Sequence, residues 1–110
     1  RTAALSNGGL SASIAAALHA LNATHASRRI AVLGVMAELS EPERDHLQIS
    51  RLAKQLGIEI IAVETDMYEV QSQTRDEVVA MLSAVEKTAV ILIKGSRVAQ
   101  LEKLVSLLIN

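Results

Sequence analysis

Apolar positions along this chain recur in two rhythms, one at helical spacing and one as short continuous runs. Leu10, Ile14, Ala17, Leu18 and Leu21 repeat at i, i+4, i+7, i+8 and i+11, which predicts a helix with one apolar face. Ser11 can cap its start. The rhythm dissolves over residues 22–28, which read as a polar loop. Arg29-Ile30-Ala31-Val32-Leu33-Gly34 is then a short apolar run closed by glycine, the pattern of a strand buried on both faces.

A second helix follows. Ser40 and Glu43 have capping-box spacing with Pro42 in the first turn, and Ile49, Leu52, Ala53 and Leu56 make the apolar face. Gly57 is placed to end that helix in the left-handed conformation. Residues 58–63 predict a second buried strand, and residues 65–73 a polar loop. Thr74 and Glu77 repeat the capping-box spacing ahead of Val78, Met81, Leu82 and Val85. Residues 89–93 predict a third strand and residues 94–97 the turn after it. Leu101, Leu104, Val105 and Leu108 share one face of a last helix.

Residues 1–9 carry no period: they are irregular, or residues 2–5 add an edge strand before the turn signal Asn7-Gly8-Gly9. So abrupt a start suits a piece of a longer chain. Buried strands alternating with amphipathic helices predict an α/β fold. The expected architecture is a Rossmann-like three-layer sandwich with a mostly parallel sheet and right-handed crossovers. Residues 1–110 are the length of one domain.

Composition narrows the chemistry. Half of the residues are hydrophobic, yet Tyr68 is the only aromatic, so the core must be aliphatic. The absence of Cys excludes disulfides, thiolate metal sites and a Cys nucleophile. Eleven Lys and Arg against twelve Asp and Glu leave a net charge of -1, without the electrostatic footprint of a nucleic-acid binder. No apolar run approaches the roughly 20 residues of a membrane helix, and no signal-peptide pattern opens the chain. The expectation is a cytoplasmic protein.

In open α/β sheets, ligands bind beyond the carboxyl ends of the strands. That rule selects three loops, residues 34–39, 64–68 and 94–97. In the third, Lys94 follows a strand at once, Gly95 lets the backbone turn closely, Ser96 can cap the next helix, and Arg97 sits in its first turn. Two cations at a helix start oppose its dipole, so a carboxylate or phosphate ligand would explain them. The plainer alternative is a solvated turn. In the first loop, Gly34 permits close approach of a ligand and Glu38 could meet a cation or amine; otherwise Met36 and Leu39 simply pack inward.

His46 falls on the buried side of its helix and reads first as a core-edge histidine held by a backbone carbonyl, with a cleft-facing role as the alternative. Tyr68 reads as a partly buried loop anchor, and Glu64 with Asp66 as an ordinary polar loop rather than a cation site. His19, His25 and His46 lack metal-ligand spacing, and neither GxGxxG nor GxxxxGK[ST] is present. No catalytic residue and no metal ligand is assigned.

Two ordered motifs carry a family resemblance. Residues 29–39, Arg29-Ile30-Ala31-Val32-Leu33-Gly34-Val35-Met36-Ala37-Glu38-Leu39, with His46 after them, come first. Ile91-Leu92-Ile93-Lys94-Gly95-Ser96-Arg97 comes second. Together they resemble the C-terminal domain of a Mur ligase of the F type, a UDP-N-acetylmuramoyl-tripeptide–D-alanyl-D-alanine ligase of peptidoglycan biosynthesis. Thr65-Asp66-Met67-Tyr68 also looks like that family's loop after the second strand. The likeness covers residues 10–110.

The resemblance implies an ATP- and Mg-dependent amide-bond ligase. ATP would phosphorylate a carboxylate of UDP-MurNAc-tripeptide, and the amine of D-Ala-D-Ala would displace phosphate. The N-terminal and central domains of such an enzyme would hold the sugar nucleotide, ATP and Mg, so this domain alone is expected to be inactive. Lys94, Gly95, Ser96 and Arg97 would then bind the acceptor or a nearby phosphate, and Gly34, Met36, Glu38 and His46 would shape the cleft.

Residues 3–9 depart from the family's Asp-x-Tyr-Asn-Ala-Asn-Pro segment, and Val35 and Ser40 stand where Asp and Gly are common. The departure at residues 3–9 motivates a second reading, a non-catalytic Rossmann-like binding or interaction module; a third is a related ligase with a different acceptor, such as another Mur type or folylpolyglutamate synthase.

Overall fold

A computed structural model describes residues 11–37, 39, 41–96, 98 and 101. The expected edge strand at residues 2–5 and the face of the last helix beyond Leu101 lie outside the described residues, as do Glu38, Ser40 and Arg97.

Among the described residues the elements run in the order α1 (Ser11–Ala23), β1 (Arg29–Leu33), α2 (Pro42–Gln55), β2 (Glu59–Val63), β3 (Ser72–Gln73), α3 (Arg75–Ser83) and β4 (Val90–Lys94). The sheet has the order β3-β2-β1-β4 and every pairing is parallel. Parallel strands need crossovers; α2 joins β1 to β2 and α3 joins β3 to β4, while residues 64–71, without a helix, join β2 to β3. The β1–α2–β2 crossover moves one way along the sheet and the β3–α3–β4 crossover moves the other. Right-handed crossovers in opposite directions place their helices on opposite faces.

The core divides accordingly. Ala31, Leu33, Ala62, Val90 and Leu92 pack with α1 and α2 on one face. Ile30, Val32, Ile61, Val63, Ile91 and Ile93 pack with Val78 and Leu82 of α3, and with Val98 and Leu101, on the other. Successive residues of a strand point to opposite faces, and here both faces are apolar. The architecture is a mostly parallel, Rossmann-like α/β domain.

Three local expectations change. Pro42 takes the first position of α2, so Glu41 is its N-cap and no side chain caps the helix; the Ser40–Glu43 box has a different register from the helix it would cap. Met81 is 41% exposed because α3 meets the sheet through Val78 and Leu82, and position 81 turns off that stripe. The loop after β2 contains β3, whose two polar residues pair with Ala62 and Val63. The second capping box forms as expected. Thr74 Oγ1 accepts from the Glu77 N–H at 3.1 Å, and Glu77 Oε1 accepts from the Thr74 N–H at 2.7 Å.

Candidate functional site at the carboxyl edge of the sheet

β1 and β4 are neighbours, but the chain leaves them toward opposite faces. Their carboxyl ends therefore flank the topological switch point, where doubly wound sheets open a crevice. In this chain the crevice is closed by backbone. The Gly34 N–H donates to the Lys94 carbonyl and the Ser96 N–H donates to the Val35 carbonyl, each at 2.9 Å. A Cβ on Gly34 would overlap the Ser96 carbonyl oxygen, and one on Gly95 would come within 2.7 Å of the Gly34 nitrogen. Both glycines are required by backbone: Gly34 by Ser96, and Gly95 by Gly34. The room that Gly34 was expected to give a ligand is filled by Ser96, and the Ser96 N–H is already spent on Val35.

The open space lies one strand over. Val35, Val63, Glu64 and Ser96 line a cavity of about 330 Å³ at the ends of β1, β2 and β4. Ser96 is exposed on its rim. Glu64 holds a left-handed backbone, φ 55°, just past β2.

Lys94 differs from the turn residue its position suggested. It is the last residue of β4, in register with Leu33, and only 3% exposed. Strand alternation puts it on the face of Val90 and Leu92, among aliphatic neighbours. Among the described residues its ammonium has no hydrogen-bond or ion-pair partner. A buried charge is costly unless an opposite charge meets it. The solvated-turn alternative does not describe this lysine.

His46 and Tyr68 are both fully buried. His46 Nε2 accepts from the Met36 N–H at 2.9 Å, and its Nδ1–H donates to the Pro42 carbonyl. That pairing assigns the neutral Nδ1–H tautomer. Tyr68 donates its hydroxyl to the Gly34 carbonyl at 2.6 Å, and its own carbonyl accepts from Ser50 Oγ at 2.7 Å. The two rings meet edge to face at 5.0 Å. Burial pushes the Tyr68 phenol well above its ordinary value of 10.0. His46 thus reaches the site through a backbone amide, not through the cleft. Met36, 2% exposed, is the residue it grips. Ser50 gave no sign in the sequence, because a serine on an amphipathic helix carries no pattern. Tyr68 was signalled only by being the lone aromatic.

The site thus joins Gly34, Met36, His46, Lys94, Gly95 and Ser96 around one backbone crossing. Among the described residues no three His, Cys, Asp or Glu side chains converge to hold a metal ion. None of the described helices is long and apolar enough to cross a membrane.

No family model matches the chain, and no curated protein matches its sequence. Among solved structures, MurF ligase from Thermotoga maritima in complex with ADP superposes with a TM-score of 0.71 at 18% identity. The match covers 97% of this chain and 28% of the ligase chain. At that identity the likeness is one of fold. The chain spans 28% of the length of the enzyme it resembles.

Proposed function

We propose that this chain is the acceptor-side domain of an ATP-dependent amide ligase of the Mur type, with D-Ala-D-Ala as acceptor and UDP-MurNAc-tripeptide as the activated partner. The observation that carries the reading is the buried Lys94 ammonium at the carboxyl end of β4, without a partner among the described residues. An acceptor carboxylate at the sheet edge would neutralise it, and charge-assisted contacts of this kind are the strong ones. Ser96, beside the 330 Å³ cavity, offers a hydroxyl at the same edge of the sheet. Arg97, next in sequence, would add a second cation.

The chemistry under this reading is acyl transfer. The tripeptide carboxylate takes the γ-phosphoryl group of ATP and releases ADP. The acceptor amine attacks the acyl carbon, phosphate leaves with the bonding electrons, and the amine gives up a proton. This chain's part is to bind and orient the acceptor. Among the described residues no carboxylate set fits magnesium. ATP and Mg belong, on this reading, to the other domains, and no step through them is assigned to these residues.

Kinetics of the full-length enzyme test the reading. Lys94→Met should raise the acceptor KM by at least about tenfold, the low end for a lost charged hydrogen bond, with little change in the ATP KM. Equal KM values for both substrates in variant and parent would reject it. The isolated chain should release no phosphate from ATP in the presence of both substrates.

The closed switch crevice favours a second reading, a non-catalytic module that recognises an anion or a partner protein. It predicts that the isolated chain binds its ligand with full affinity. The ligase reading requires the other domains for tight binding.

A further inference from the structure

We infer that His46 is a positioning residue for the Ser96 turn, acting through the single peptide plane between Val35 and Met36, with Tyr68 holding the preceding plane. The inference rests on the proposed function only in naming what the turn would hold.

A peptide unit is planar, so its C=O and N–H move as one body. The Val35 carbonyl accepts from the Ser96 N–H at 2.9 Å. The Met36 N–H, the other end of that same plane, donates to His46 Nε2 at 2.9 Å. His46 and Ser96 therefore grip opposite ends of one rigid unit. Rotating the plane to break either bond breaks the other. The Gly34 carbonyl, in the preceding plane, is held by the Tyr68 hydroxyl at 2.6 Å.

This anchoring is needed because β1 ends at Leu33, and residues 34–36 follow without strand assignment. Both anchors come from the far side of β1 relative to β4: His46 from α2, Tyr68 from the loop after β2. His46 is itself fixed at Nδ1 by the Pro42 carbonyl, which leaves the Nε2 lone pair facing Met36. The direction of the Val35 carbonyl, and with it the place of Ser96, is set by a side chain that contributes nothing to the cavity wall.

The test is amide hydrogen exchange followed by NMR on this chain, with the Ala31 amide in β1 as the reference for global opening. His46→Ala should speed exchange at Met36 and at Ser96 by at least about fivefold beyond any change at Ala31, the factor expected for one lost hydrogen bond. His46→Gln, whose side-chain oxygen can accept in place of Nε2, should restore both amides together. Faster exchange at Met36 with Ser96 tracking Ala31 would overturn the inference.

Should His46→Ala fail to fold, Tyr68→Phe keeps the fold's largest loop anchor and removes one rung. Ser96 should again exchange at least about fivefold faster relative to Ala31, and an unchanged Ser96 would overturn the inference. In the full-length enzyme, His46→Ala should raise the acceptor KM, leave the ATP KM unmoved, and be rescued by Gln. Coupled amide exchange without any acceptor effect would uphold the positioning role and reject the acceptor reading.

Discussion

The Gly34 backbone occupies the space that a side chain on Gly95 would need. A Cβ on Gly95 would lie 2.7 Å from the Gly34 nitrogen and 2.8 Å from its carbonyl carbon and oxygen, all of them backbone atoms that cannot step aside. Gly95 also holds φ 111°, a conformation that L side chains rarely adopt. Gly95→Ala should therefore cost about 1–3 kcal/mol from overlap and about 1–3 kcal/mol from strain. Gly57→Ala is the control. Gly57 holds φ 71° with nothing within 4 Å of a built Cβ, so only the left-handed penalty of about 1–2 kcal/mol applies. Urea midpoints compare the two, and equal losses would show that the crossing is looser than drawn.

Tyr68 makes the chain sensitive to alkali. Its phenol is neutral in the fold and pushed above its ordinary value of 10.0 by burial. A group raised in the folded state stabilises fully below its unfolded value and loses that contribution as pH rises past it. Stability should thus fall above about pH 10, the ordinary value for a phenol. Phenolate absorbance from this one tyrosine should appear only as the chain unfolds. Tyr68→Phe should remove the alkaline slope while lowering neutral stability by about 1–3 kcal/mol, since the buried Gly34 carbonyl loses its donor.

At the opposite edge of the sheet, Arg28 holds Glu59 through two hydrogen bonds of 2.8 and 2.9 Å. Hydrogen bonding to Arg28 keeps the Glu59 carboxyl below its ordinary 4.5. A depressed carboxylate contributes above its unfolded value and is lost as pH falls through the folded one. Both side chains are about half exposed, so screening limits the effect. Glu59→Gln should cost less than about 1 kcal/mol at low salt, nearly nothing at high salt, and should flatten the acid limb of the stability curve.

Thr74→Ala removes the one complete capping box among the described helices. A loss of about 1 kcal/mol in thermal or denaturant unfolding is expected, with Thr74→Ser close to the parent.

Thr74 also marks how far the sequence could be read. Where local chemistry decides structure, as at the Thr74–Glu77 box, at Gly57 and along the continuous apolar runs, residue pattern and fold agree. Ser72 and Gln73 carry no strand signal because their pairing is imposed by neighbouring β2. Lys94 looked like a turn because lysine rarely ends a buried strand, and one residue of strand length separates a solvated cation from a buried one. Gly34 and Gly95 were both visible as punctuation. That Gly95 must clear the Gly34 backbone, and Gly34 that of Ser96, follows only from the order β3-β2-β1-β4, which no local pattern encodes. His46 was legible as a core-edge histidine, but its partner was expected to be a carbonyl alone; the Met36 amide depends on the path of residues 34–36.

The strand order has a kinetic consequence. β1 meets β2 across a single helical connection, but it meets β4 only after β2, β3 and α3 have intervened. Longer closures cost more entropy and distant pairings slow folding. The segment from β1 through α2 and β2 to the loop after β2 can assemble His46, Tyr68 and Met36 by itself, while Gly95 and Ser96 arrive with the last strand. The Ser96 turn is thus a completion signal for the domain: a chain halted before β4 docks has a prepared receptacle at Val35 and no turn yet seated in it.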